Sequence, residues 1–359
     1  MLRITSPFHG AVLNRHHGQA VAGGLRVAVH GVCPPHGSMT VNGAPAEVAG
    51  GTFAADATLT GFEPEIRAEY DGALGQLTHS VRVVWDRHSF PRYRVSLDDN
   101  VFFMRDIAAK RYASIFDCHY LALLRRMNRE YGTKFTCNLY YEADDDFTLS
   151  DFPVEYRSEW EACADWLGLT FHARADKPDR PYAYAAPEQL LADYDLVAEE
   201  VRRFAGPRSW IPPTVIHWGL APRDALPGLH ERGVRVLSGY FSSGPSGRDV
   251  HYWLDEARCE YLSTHGRLID WESGIAFSKV DLVINNTPLA EVPGALEAAA
   301  ADPADAEIID LLTHEQYFWD FYPHFIPDHP QRLEAALRWV AEHGYRPVFF
   351  HEGLMGAPT

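Results

Sequence analysis

The chain has 359 residues, a net charge of −17 and only four lysines, so it can build two cores and offers no basic surface to follow a phosphate backbone. Nucleic acid is therefore not expected as a partner. Its five cysteines, Cys33, Cys118, Cys137, Cys163 and Cys259, contain no Cys-x-x-Cys pair and read as buried thiols of a reducing compartment, not as a disulfide frame or zinc knuckle. No window approaches the ~18 apolar residues of a membrane span, and residues 1–7 carry no apolar signal core, so the expected location is cytoplasmic.

Up to residue 86 the chain consists of short alternating runs, such as 25–29 and 80–84, separated by turns at Asn42-Gly43, Gly50-Gly51 and Asp71-Gly72. Period-2 runs at that spacing predict a small all-β sandwich over residues 1–90. The stretch 39–48 followed by Gly51-Thr52-Phe53 resembles the immunoglobulin-like modules often appended to carbohydrate-active enzymes. Residues 87–91 form the junction.

From residue 91 to 359 the pattern changes to strand, helix, strand, helix. Phe116, Tyr120, Leu123, Leu124 and Met127 share one helical face, which Gly132 ends before a strand over 134–140. A second helix opens near Pro187 and buries Leu190, Tyr194, Val197, Val201 and Phe204; a third, from about Pro330, buries Leu333, Leu337 and Val340. Between them the runs 167–171, 213–216, 234–237, 281–284 and 307–312 read as buried strands. Continuous apolar strands alternating with amphipathic helices imply a parallel sheet covered by helices, most economically a barrel. Neither GxGxxG nor a Walker loop is present, which removes the dinucleotide and P-loop readings.

The strand over 94–97 stops on Asp98-Asp99-Asn100. Alternation along a strand places the two carboxylates on opposite sides of its axis, where they can take different jobs; the plainer reading is a helix cap. Other strands end in His172, His217 and Thr313-His314-Glu315. In α/β barrels the carboxyl ends of the strands share one face, so these groups converge, and imidazole with carboxylate is the ligand set of catalytic Zn²⁺ or a related first-row ion.

In this order the residues resemble the polysaccharide deacetylase, or NodB-homology, superfamily that includes carbohydrate esterase family 4. Ser96-Leu97-Asp98-Asp99 matches its first motif, His172-Ala173-Arg174-Ala175-Asp176 partly matches His-x-x-x-His, Ile216-His217-Trp218-Gly219 stands where an Arg-x-Pro-x-Gly strand end is expected, and Leu312-Thr313-His314 matches the last. The likeness spans roughly 93–350 and is that of a divergent branch. It implies a distorted (β/α) barrel catalytic domain over 91–359, preceded by the immunoglobulin-like sandwich. It also implies a carbohydrate deacetylase that removes an N-acetyl group from an amino sugar of a glycan or glycan precursor.

Within that resemblance Asp98 is the catalytic base and His314 the acid. Asp99 and His172 are metal ligands, with His217 or Asp176 at the third corner. The ion is expected to be Zn²⁺, with Co²⁺, Ni²⁺ or Mn²⁺ as substitutes. Trp218, Tyr240, Trp271, Glu315 and Tyr317 are the expected substrate-binding residues, because aromatic faces suit the apolar faces of sugar rings. Glu315 is a candidate to orient His314, Asp270 a further site candidate, and the segment 242–248 a loop over the site. Two other readings stay open: a metal-dependent amidase acting on a non-sugar amide, and a catalytically inactive glycan-binding protein of the same fold. Oligomeric state is not legible.

Overall fold

The computed structural model describes residues 1–143, 146–241, 243–244, 247–248 and 250–353. The chain divides into two compact units. Among the described residues, one comprises Met1–Phe90 with Arg267–Trp271, and the other comprises Pro91–Gly266 with residues 272–353. The whole is mixed α/β, with several sheets and eight α-helices among the described residues.

The first unit is built from two antiparallel sheets. Arg3–Ser6, Gly24–Val32, Thr52–Leu59 and Glu47–Ala49 lie in that order in one, with Gln19–Val21 also pairing Gly24–Val32. Gly75–Arg82, Glu65–Gly72, Ser38–Val41 and Ala44–Pro45 form the other. Gly24–Val32 and Glu65–Gly72 alternate buried with exposed residues, which is the signature of a sheet with one face on a core. The predicted Asn42-Gly43 and Gly50-Gly51 turns both form, each with positive φ at its two central residues, as a tight hairpin requires. The third turn falls two residues later than Asp71-Gly72, because those residues still belong to a strand. Within this unit Arg267–Trp271 is tied in by the Ile269 N–H, which donates to the Gly10 carbonyl at 2.9 Å, and by an antiparallel bridge between Ala11 and Leu268.

The second unit centres on a parallel sheet ordered Leu167–Ala173, Phe135–Tyr140, Arg92–Asn100, Ile308–His314, Leu282–Val283, with Arg346–Pro347 also beside Arg92–Asn100. Its strands are buried along nearly their whole length, as strands covered on both faces must be. A second parallel ladder pairs Val236–Gly239 with Ile275–Lys279. Irregular segments supply further bonds. Leu169 N–H donates to Ser209 at 2.8 Å, Ser238 N–H to Thr214 at 2.7 Å, Val280 N–H to Gly239 at 3.0 Å and Asp281 N–H to Asp310 at 2.9 Å.

The helices in chain order are α1 (Phe102–Lys110), α2 (His119–Tyr131), α3 (Arg157–Cys163), α4 (Pro187–Ala205), α5 (Leu226–Glu231), α6 (Glu256–His265), α7 (Val292–Ala301) and α8 (His329–Glu342). Helix α2 buries Tyr120, Leu121, Leu124 and Met127 and ends on Gly132 at φ 71°, a left-handed cap that glycine takes without a Cβ penalty. Phe116 lies in the 3₁₀ turn before it, which Ser114 and Asp117 close as a capping box. Helices α4 and α8 bury the faces their spacing predicts.

Three of the expected strands differ. The run 213–216 is not a strand: Pro212 and Pro213 have no N–H to give a ladder, and Thr214 N–H is instead taken by the Asn138 side chain at 3.2 Å. The run 281–284 shrinks to Leu282–Val283 before a 3₁₀ turn, and the run 234–237 moves to Val236–Gly239.

Candidate metal centre

The Arg92–Asn100 strand breaks register against Phe135–Tyr140 between Leu97 and Asn100, and Asp99 takes φ 58°. Such a bulge puts two residues where a regular strand has one and breaks the alternation of side chains. Asp98 and Asp99 consequently line the same cavity of about 360 Å³, not opposite sides of the strand. Asn100 repairs the interruption. Its Nδ2 donates to the Leu97 and Asn138 carbonyls at 2.6 and 3.1 Å, and its Oδ1 accepts from Tyr120.

Asp98, His172, Asp176, His217, Trp218, Tyr240, His314 and Tyr317 line the same cavity. Asp99 Oδ1 lies 3.0 Å from His172 Nε2 and 3.5 Å from His217 Nδ1, and those two nitrogens are 3.0 Å apart. One ligand atom from each of the three falls within 4.8 Å of the others, so Asp99, His172 and His217 form a possible metal site. Asp176 stays at the rim: its side chain is 59% exposed, pairs with Lys177 at 3.0 Å and comes only within 3.8 Å of His217 Nε2.

The electrostatics divide the two aspartates. Burial raises the Asp98 carboxyl above its ordinary range against the pull of His172 and His314. Burial acts on Asp99 too, but the His172 hydrogen bond and the His314 and His172 charges win and hold it well below that range. His217 is pushed down to about 3, first by burial and then by His172, which leaves it neutral with a lone pair to offer. For His172, burial is outweighed by the Asp99 hydrogen bond and the Asp98 charge, and its value rises. With the proton between His172 and Asp99 released, one anionic oxygen and two neutral imidazoles would be the donor chemistry of a divalent zinc-type site.

Asp98 Oδ1 accepts from Ser96 Oγ at 2.6 Å and Asn138 Nδ2 at 2.9 Å, and Thr214 Oγ1 closes this buried set at 2.5 Å from Ser96 Oγ. Asp98 and His314 are register partners on adjacent parallel strands. His314 Nδ1 lies 3.0 Å from Asn285 Oδ1, an acceptor, so Nδ1 carries a proton and donates it there.

Two expected binding residues sit elsewhere. Glu315 is fully buried and accepts from the backbone N–H groups of Val101, Phe102 and Phe103 at 2.6–2.9 Å and from Trp319 Nε1 at 3.0 Å, so it holds the start of α1 and is not part of the cavity wall. Trp271 belongs to the first unit, with its indole N–H on the Arg82 carbonyl at 3.2 Å and the Arg82 guanidinium 3.5 Å from its ring, and Asp270 is in that unit also. Of the segment 242–248, only Ser243–Gly244 and Gly247–Arg248 are described, as an antiparallel pair; the rest lies outside the described residues.

Sequence reasoning missed Tyr140, Gln316 and Asn285. Tyr140 is the last residue of its strand, the same position that singled out His172. A second cavity of about 620 Å³ shares Asp99, Asp176 and Gln316 with the first and is lined by Phe102, Arg105, Phe321 and Tyr322.

Fold and site define an α/β unit in which the ends of two parallel strands and one irregular segment bring together a carboxylate–imidazole cluster suited to a divalent ion. No known family and no curated protein sequence matches the chain. Among solved structures, a family 4 acetyl xylan esterase from Clostridium thermocellum in complex with a cobalt ion is similar at 13% identity and TM-score 0.37, over 74% of this chain and 92% of that one. A 4-alpha-glucanotransferase from Thermococcus litoralis gives 9% and 0.45 over 74% of this chain and 40% of its own. A carbohydrate acetylesterase from Xanthomonas citri gives 11% and 0.19 over 96% and 76%.

Proposed function

We propose that this protein is a metal-dependent hydrolase that removes an N-acetyl group from an amino sugar of a glycan or glycan precursor. The observation that carries the reading is the meeting of Asp99, His172 and His217 in one cavity whose wall also holds Asp98 and His314 as register partners. The motif order of the polysaccharide deacetylase superfamily supports it. The bonds from Ser209, Thr214, Gly239 and Asp310 that link the irregular segments to the two parallel ladders support a distorted (β/α) barrel over 91–359. The two sheets with alternating burial support an immunoglobulin-like sandwich over 1–90.

In this reading Asp99, His172 and His217 hold the ion, most consistently Zn²⁺, while Asp176 stays at the rim. When bound, the ion supplies Lewis acidity toward an acetamide carbonyl and acidifies a water. The chain does the proton work. Asp98 is fixed by Ser96 and Asn138, its carboxyl already raised by burial, and it takes the proton of the attacking water as general base. His314 is held at Nδ1 by Asn285 and gives the leaving amine a proton from Nε2 as general acid. Trp218, Tyr240 and Tyr317 offer aromatic faces to the sugar ring.

The test is acetate release from a panel of N-acetylated sugars and oligosaccharides, with and without chelator. The expected result is release that stops on chelation and returns with Zn²⁺ or Co²⁺. Turnover of simple amides with no acetate from any sugar would reject the carbohydrate assignment.

A further inference from the structure

Resting on the metal-dependent reading above, we infer that Tyr140 is a positioning residue of the ion site, setting which nitrogen of His217 faces the ion. Its hydroxyl is buried at the end of the Phe135–Tyr140 strand and donates to Asp99 Oδ1 at 2.6 Å. The same oxygen lies 3.3 Å from His217 Nε2 and 3.1 Å from Nδ1, and the Tyr140 ring packs against His172 and His217 at centroid distances of 5.3 and 5.2 Å.

A hydroxyl has one proton and two lone pairs. Tyr140 spends the proton on Asp99, so toward His217 it accepts. A histidine that ligates an ion is neutral and has one N–H. His217 Nδ1 is the nitrogen near His172 Nε2 and Asp99 Oδ1, at 3.0 and 3.5 Å, and atoms bound about 2.1 Å from a tetrahedral ion stand roughly 3.4 Å apart. Nδ1 therefore keeps its lone pair for the ion, and Nε2–H goes to Tyr140. Asp176, the other acceptor in reach of Nε2, is 3.8 Å away and occupied by Lys177. Histidine ligands are ordinarily oriented in this way through their second nitrogen. From the other side, Gln316 Nε2 donates to Asp99 Oδ2 at 2.8 Å, so Asp99 is held at both oxygens.

The experiment is a Co²⁺ titration of the full chain by calorimetry and visible absorption, comparing wild type with Tyr140→Phe and Asp176→Asn. Tyr140→Phe keeps the ring and is expected to melt like wild type without metal, bind Co²⁺ roughly 10–100-fold more weakly and give an altered cobalt spectrum. Asp176→Asn is expected to bind like wild type. Equal affinity and an unchanged spectrum in Tyr140→Phe, or a loss carried by Asp176→Asn, overturns the inference while leaving the hydrolase reading intact. No Co²⁺ binding by wild type overturns both. Should Tyr140→Phe not fold, wild type decides: Co²⁺ must perturb its tyrosine ultraviolet difference spectrum, and no perturbation overturns the role.

Discussion

Asp99 reaches the cavity through one strained backbone position, φ 58°, which a non-glycine residue adopts at a cost of roughly 1–2 kcal/mol. His172, Tyr140 and Gln316 offset that cost by holding both carboxylate oxygens. Asp98 has a different set of partners, Ser96 and Asn138, and a carboxyl that burial raises. The role proposed for it is separable from ion binding. Asp98→Asn is predicted to lower kcat by about 10²–10⁴ while the purified protein keeps its metal. Kinetics with metal analysis on the same sample checks this, and a variant that loses metal and activity together would make Asp98 a ligand instead. The strand ending in Asp-Asp was legible at this scale because carboxylates at the end of an apolar run stand out. Tyr140 was not, since a strand-end tyrosine looks like the other aromatic residues packed nearby.

At the scale of elements, the start of α1 is held from a distant strand end. Helix α1 has no side-chain cap of its own, and Glu315 accepts its first N–H groups in place of Asp98, Asp99 or Asn100. Burial pushes Glu315 up to about 7, against the four donors that pull it down. The folded chain thus keeps a proton there where an unfolded glutamate, near 4.5, has lost it. The stabilisation from that proton is complete below about 4.5 and is lost as pH rises through about 7. Glu315→Gln removes this dependence but turns an amide NH₂ toward backbone donors. It is predicted to be less stable than wild type by about 1–3 kcal/mol near pH 5, with a gap that narrows toward pH 8. Urea unfolding at both pH values checks it, and a gap that widens with pH contradicts it. The helices α2, α4 and α8 were readable from apolar spacing and caps. The segment carrying His217 was misread because Pro213-Thr214-Val215-Ile216 has strand composition, while its N–H groups are missing or taken by Asn138 and by Tyr252, whose hydroxyl lies 3.4 Å from Ile216 N.

At the scale of the molecule, Arg267–Trp271 joins a unit that, among the described residues, is otherwise made of the first ninety, an arrangement that composition and texture along the chain do not reveal. A chain trimmed to begin at Pro91 would strip that stretch of Gly10, Ala11 and Arg82. It is predicted to unfold at least about 2–4 °C below the full chain, as a thermal melt would show; coincident melts would mean the stretch needs none of those partners. The central claim is that Asp99, His172 and His217 hold a catalytic ion. Its most direct test is the metal content of purified wild type beside Asp99→Ala after equal exposure to Zn²⁺ and exhaustive dialysis. About one ion per wild-type chain and little in the variant is expected; equal content in the two, or none in wild type, would contradict an ion held by these three residues.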